Sequence, residues 1–133
     1  MKVLIVDDHE VLLRGLRNLL DKQQGMEVVA AVSGREAIRL AKVHRPDIAV
    51  VDYRLPDTDG LAVLRKIKSL YPDMVVIIMT AFSSVSIAVE AIRMGASDFV
   101  TKPFNMDEIV VAIEKALEAQ RLREEVSRLR TEE

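Results

Sequence analysis

Cysteine and tryptophan are absent from the 133 residues, and aromatic side chains make up only 4% of them. Without thiols there is neither a disulfide framework nor a thiolate metal site, which fits a reducing compartment. The longest apolar run, Met74 to Met79, is far shorter than the ~20 residues a membrane-spanning helix needs. The first strand-like run starts at Lys2, so a cleavable leader is not expected. Charge of one sign is scarce as well. The formal net charge of -2, with no block of like charges, gives no footing for nonspecific nucleic-acid binding. The expectation is a cytoplasmic single domain that touches neither membrane nor nucleic acid directly. A chain of this length can bury about two-thirds of the surface its unfolded form exposes.

What is present is an alternation of two patterns. Short aliphatic runs occur at Val3–Val6, Val28–Val32, Ile48–Val51, Met74–Met79 and around Phe99–Val100. They are continuous rather than alternating, as parallel strands covered on both faces should be. Between them lie stripes at helical spacing: Leu12, Leu16, Leu19 and Leu20 in one segment, Val85, Ala88, Val89 and Ile92 in another. Gly25 and Gly95 are read as helix stop signals, and Pro46 and Pro72 as punctuation before the third and fourth strands. Five strand–helix repeats imply an α/β fold, a doubly wound parallel sheet with right-handed crossovers. Periodicity does not give the strand order. It does say where a site belongs, at the carboxyl ends of the strands near a topological switch point.

Four features fall at those ends: Asp7-Asp8 after the first strand, Asp52 at the third, Thr80 at the fourth and Lys102-Pro103 after the fifth. Singly, each has a plainer explanation. An acidic pair can cap a helix, an Asp before a proline-containing loop can serve a turn, a Thr can reflect β-propensity, and a Lys-Pro pair can be an exposed loop. Together on one rim they point elsewhere. Three crowded carboxylates repel one another, and a hard divalent cation such as Mg2+ relieves that repulsion. Asp52 could then serve as a carboxylate nucleophile toward phosphorus, with Lys102 and Thr80 offering donors to the phosphoryl oxygens.

The segments VLIVDD, VVDYRLPDTDG, IIMTA and GASDFVTKPF stand in the order found in response-regulator receiver domains of two-component signalling, and the chain resembles that family from residue 2 to about 118. The resemblance implies a five-stranded sheet in the order 2-1-3-4-5. It implies phosphorylation of Asp52 by a sensor histidine kinase, with the domain assisting its own phosphorylation and dephosphorylation. Asp8 would ligate Mg2+ directly and Asp7 through water, with Asp52 and the backbone carbonyl of Arg54 completing the set. Lys102, ahead of a cis peptide to Pro103, would contact the phosphoryl group, and Thr80 with Phe99 would form the switch pair. Phe99 stands where the family often has Tyr, which removes a phenol from the switch. Arg54 and Phe82 resemble positions that tune acyl-phosphate lifetime.

Two rivals share parts of this pattern. A haloacid-dehalogenase-type phosphatase needs an Asp two residues after its nucleophile, where Arg54 stands. A flavodoxin-like flavin carrier needs a phosphate-receiving first loop, which Asp7-Asp8-His9-Glu10 would repel. His9 and His44 are read as surface residues, Asp57 and Asp59 as turn and cap residues before a helix near Gly60, and the methionines as core filler.

The last helix changes its stripe. Ile109, Ile113, Ala116 and Leu117 should pack on the sheet, whereas Ala119, Leu122, Val126 and Leu129 follow heptad spacing. Arg121 with Glu125 and Glu124 with Arg128 are spaced as favourable pairs. The expected division is a receiver domain at 1–118 and a helical extension at 119–133. That extension would begin a coiled coil, with the pattern still running at Glu133, so a following output module is expected. A homodimer is expected through this helix and the face of helix 4, strand 5 and helix 5. The segment around MTAFSSVSIAVEAIRMGASDFVTKPF particularly resembles receivers of the nitrogen-regulatory type, implying transcriptional output.

Overall fold

Strands and helices alternate in the computed structural model, which describes residues 1–23, 25–81, 85–102 and 105–132. The elements are β1 (Lys2–Val6), α1 (Glu10–Asp21), β2 (Glu27–Ala31), α2 (Gly34–His44), β3 (Ile48–Asp52), α3 (Gly60–Leu70), β4 (Val75–Ala81), α4 (Val85–Arg93), β5 (Asp98–Lys102) and α5 (Met106–Glu132). Phe82, Pro103 and Glu133, on which sequence expectations rest, lie outside the described residues.

The sheet is parallel throughout, in the order β2-β1-β3-β4-β5. Strand alternation explains why the runs are continuous in sequence. Val3 and Ile5 join one apolar layer with Leu16, Leu20, Ile109 and Ile113, whereas Leu4 and Val6 join the other with Ala37, Ala41, Leu64 and Ile67. Each face of the sheet therefore needs an aliphatic side chain at every second position. β1, β3 and most of β4 are buried, and the edge strands β2 and β5 are only partly covered.

Three expectations are refined here. Of the α4 stripe only Ala88 faces the core, beside Ala91: Val85, Val89 and Ile92 are 72%, 47% and 45% exposed. Two alanines bring the helix close to the sheet and leave its larger aliphatics outside, since spacing defines a face without saying what covers it. Val32 lies just beyond β2 and is exposed. Gly25 stands some way past the end of α1, which closes at Lys22; Gly95, at φ 105°, does end α4. There the Gly95 amide donates to Ile92 and the Ala96 amide to Ala91, a Schellman arrangement that requires a left-handed residue.

α5 is continuous, but its two halves have different surroundings. Ile109, Ile113 and Ala116 are buried, whereas Leu122, Val126 and Leu129 are each about half exposed.

Candidate functional site

Parallel register brings the strand ends to one rim. Val6 pairs with Val51, Asp52 with Met79, and Ala81 with Lys102. Asp7, Asp52 and Thr80 are all buried there, at 0%, 4% and 3% exposure. The Lys102 ammonium bridges the two carboxylates, donating to Asp7 Oδ2 at 2.9 Å and to Asp52 Oδ2 at 3.1 Å. Asp8 is more open, its side chain 43% exposed. Carboxylate oxygens of Asp7, Asp8 and Asp52 and a ring nitrogen of His9 all lie within 4.8 Å of one another.

Local backbone geometry sets this arrangement. The Tyr53 amide donates to Met79 O and extends the ladder past Asp52. The chain then returns on itself through an Arg54–Asp59 bridge, and the Gly60 amide closes on Tyr53 O at 2.7 Å. A Cβ at Gly60 would stand 2.7 Å from Asp52 O and 2.9 Å from Tyr53 Cα, so the return requires glycine. Asp59 caps α3 by accepting from the Ala62 amide, as expected. Asp57 does not serve its own turn alone: its carboxylate reaches α2 and accepts from the amides of Gly34 and Arg35. Asp7 and Asp8 do not cap α1, whose N-cap is His9 with no side-chain cap bond.

Electrostatics follow from the crowding. Burial, then the Asp7 charge, push the Asp52 carboxyl above its ordinary value, and Lys102 and the Arg54 amide only partly oppose them. For Lys102, burial favours the neutral amine, but its hydrogen bond to Asp7 and the charges of Asp52 and Asp7 outweigh it and raise the pKa. The ammonium is thus shared between the two carboxylates, slightly nearer Asp7 than Asp52.

His9 is a surface residue, 68% exposed, but its Nδ1 lies 2.9 Å from Asp7 Oδ1 and its amide donates to the same oxygen. The sequence signal was only its place directly after the acidic pair. Thr80 Oγ1 is buried and has no hydrogen-bond partner among the described residues. Such an orphan costs desolvation without compensation. Phe99, 40% exposed, shares with Thr80 a groove of about 300 Å³ between α4 and β5, lined also by Val85, Val89 and Ile92. Arg54 brings its amide to 3.4 Å from Asp52 Oδ1.

The donor set suits a hard cation. Oxygen atoms dominate it, Asp8 opens to solvent, and the two buried carboxylates carry more negative charge than one lysine offsets.

A five-stranded sheet of this order with an acidic rim and a lysine defines a class of signalling domain, and comparison with known proteins names it. The chain matches the response regulator receiver domain family over residues 3–114. It belongs to that family and is a phosphorylation switch. It is 38% identical over 128 residues to Regulatory protein AtoC of Escherichia coli (strain K12), covering 96% of this chain and 28% of AtoC. With Chemotaxis protein CheY of Bacillus subtilis (strain 168) it shares 37% over 117 residues, 87% of this chain and 97% of CheY. The crystal structure of NtrX from Brucella abortus in complex with ATP superposes with a TM-score of 0.89 at 33% identity, covering 96% of this chain and 29% of that one. Likeness to AtoC and NtrX agrees with the nitrogen-regulatory resemblance, and the chain spans under a third of either. Response regulators receive their signal from histidine kinases, and receiver domains bind Mg2+ at the acidic pocket. No helix among the described residues is long and apolar enough to cross a membrane.

Proposed function

We propose that Asp52 is the residue that accepts the phosphoryl group in this switch, with Lys102, Thr80 and Phe99 reporting its arrival. The observation that carries this is the lysine bridge: a buried Asp52 shares Lys102 with Asp7, beside an orphaned Thr80 hydroxyl. One Asp52 oxygen forms the new P–O bond as the donor's bond to phosphorus breaks and the donor histidine leaves as imidazole. Lys102 can exchange Asp52 Oδ2 for a phosphoryl oxygen without leaving Asp7. The Thr80 hydroxyl gains an acceptor, and the space it vacates admits the exposed Phe99 ring. Asp8, Asp7, Asp52 and the Arg54 carbonyl would hold Mg2+, which when bound supplies positive charge against the incoming phosphoryl oxygens. Both oxygens of Asp7 already have protein partners, which favours Asp8 as the direct ligand and a water-mediated role for Asp7. The same groups would position water for dephosphorylation.

The partner in this reading is a sensor histidine kinase in the cytoplasm, and the output is transcriptional, carried by a module other than residues 1–118. The outer part of α5, from residue 119 to Glu132, would be a helical extension, with Leu122, Val126 and Leu129 exposed at heptad spacing. They would pair two copies, helped by the face of α4, β5 and α5. The seam is under two heptads, so both surfaces are needed.

Acetyl phosphate with Mg2+ tests the switch. It should add one phosphoryl group, labile to hydroxylamine, and chelation should prevent the addition. Equal labelling with and without divalent cation would contradict the site. Sedimentation of the chain against a version ending at Glu118 tests the pairing, which fails if both are monomers with and without phosphorylation.

A further inference from the structure

The loop from β3 to α3 leaves Asp52 at Arg54, returns at Asp59, and is fastened at its far side. Asp57 Oδ1 accepts from the Gly34 amide at 2.8 Å and Oδ2 from the Arg35 amide at 2.9 Å. These are the first two amides of α2, a helix that begins after a different strand. The seat is close-fitting. A Cβ at Gly34 would collide with Thr58 Cγ2 and crowd Val63 Cγ2 at 3.2 Å, so any larger residue there would displace the Thr58 side chain of the loop.

α2 does not need Asp57 to start. Ser33 caps it, accepting the Glu36 amide on Oγ and the Ala37 amide on its carbonyl, while Glu36 Oε1 accepts from the Val32 amide. Asp57 takes the two remaining first-turn amides, and a carboxylate is favoured at that end of the helix. The element that depends on the bonds is therefore the loop. Three residues from the clamp, the Arg54 amide meets Asp52 Oδ1 at 3.4 Å, long enough for a small loop shift to break it.

We propose that Asp57 is a positioning residue for Asp52: it clamps the β3–α3 loop onto α2 and so holds the Arg54 backbone against the phosphoacceptor. This rests on Asp52 being the phosphoacceptor. Through the clamp α2, which contributes no side chain to the rim, becomes part of the platform under it.

The test compares the full chain with Asp57→Ala, Asp57→Asn, Ser33→Ala and Asp52→Asn. Acetyl phosphate labelling is measured across an Mg2+ titration, and amide hydrogen exchange in metal-free protein. Asp57→Ala should label roughly three- to tenfold more slowly and exchange faster at the Arg54 and Gly60 amides. Asp57→Asn, which keeps an acceptor, should recover part of the rate. Ser33→Ala should lower the denaturant midpoint yet label at the wild-type rate. Wild-type labelling by Asp57→Ala, with Asp52→Asn unlabelled, overturns the clamp alone. Full labelling of Asp52→Asn overturns the phosphoacceptor instead. Slowing by Ser33→Ala as large as that by Asp57→Ala, or failure of Asp57→Ala to fold, also overturns the clamp, because α2 itself would then be what matters.

Discussion

The carboxyl rim of the sheet and the outer half of α5 both carry dense charge, and they use it in opposite ways. At the rim, Asp7 and Asp52 are buried together and share one ammonium, so the carboxyl of Asp52 is pushed up by burial and by its neighbour. On the helix, Arg121 sits between Glu118 and Glu125 in full solvent, its pKa raised and that of Glu118 lowered by their hydrogen bond. Like charges in a dry site store free energy that a ligand can release; opposite charges in water hold little. The rim holds charge that is only partly offset in a buried place, and the tail holds paired charge beside exposed aliphatics.

Breaking the rim should have the largest effect. Asp8→Ala removes the exposed carboxylate and should weaken Mg2+-dependent labelling by about 10–100-fold, read from the Mg2+ titration; a loss under twofold would contradict its place as a ligand. Thr80→Val replaces an unpartnered buried hydroxyl with a methyl group and should stabilise the unphosphorylated protein by about 1 kcal/mol or more. The same variant should show smaller phosphorylation-induced NMR shifts in α4 and β5. Asp52→Asn removes a buried charge and its repulsion with Asp7 and should raise the melting temperature in metal-free buffer.

The smallest effects belong to charges in water. Arg121→Ala should leave the denaturant midpoint of the core unchanged, and a clear loss would mean the tail carries stability after all. Asp57 is exposed, and the amides of Gly34 and Arg35 hold its carboxyl below the ordinary value. Its stabilising contribution should therefore be present above the ordinary pKa of about 3.9 and fade as pH falls through the depressed one. Wild type and Asp57→Asn should differ in denaturant midpoint at neutral pH and converge in that acid range.

Much of this was legible in the sequence, for identifiable reasons. Continuous runs such as Val3–Val6 announce strands buried on both faces, and strand ends locate Asp7, Asp52, Thr80 and Lys102 because parallel connection sends them to one rim. Strand order came only from family resemblance, because periodicity carries no information about which strands are neighbours. The exposed face of α4 was illegible because the small side chains Ala88 and Ala91, not the large ones, set its approach to the sheet. Asp57 could be read as a turn residue, but its partners Gly34 and Arg35 lie in another helix, and nothing local announces a bond of that kind. The orphaned hydroxyl of Thr80 and the leaning of Lys102 toward Asp7 are properties of packing, visible only once the rim is assembled.

Every role proposed for the rim depends on which residue takes the phosphoryl group. Labelling with acetyl phosphate and Mg2+, followed by borohydride reduction, converts an aspartyl phosphate to homoserine, which peptide mass spectrometry locates. The expected result is homoserine at position 52, blocked by chelation and absent from Asp52→Asn. Homoserine at Asp7, Asp8 or Asp57 in the wild-type chain, with Asp52 unmodified, would contradict it.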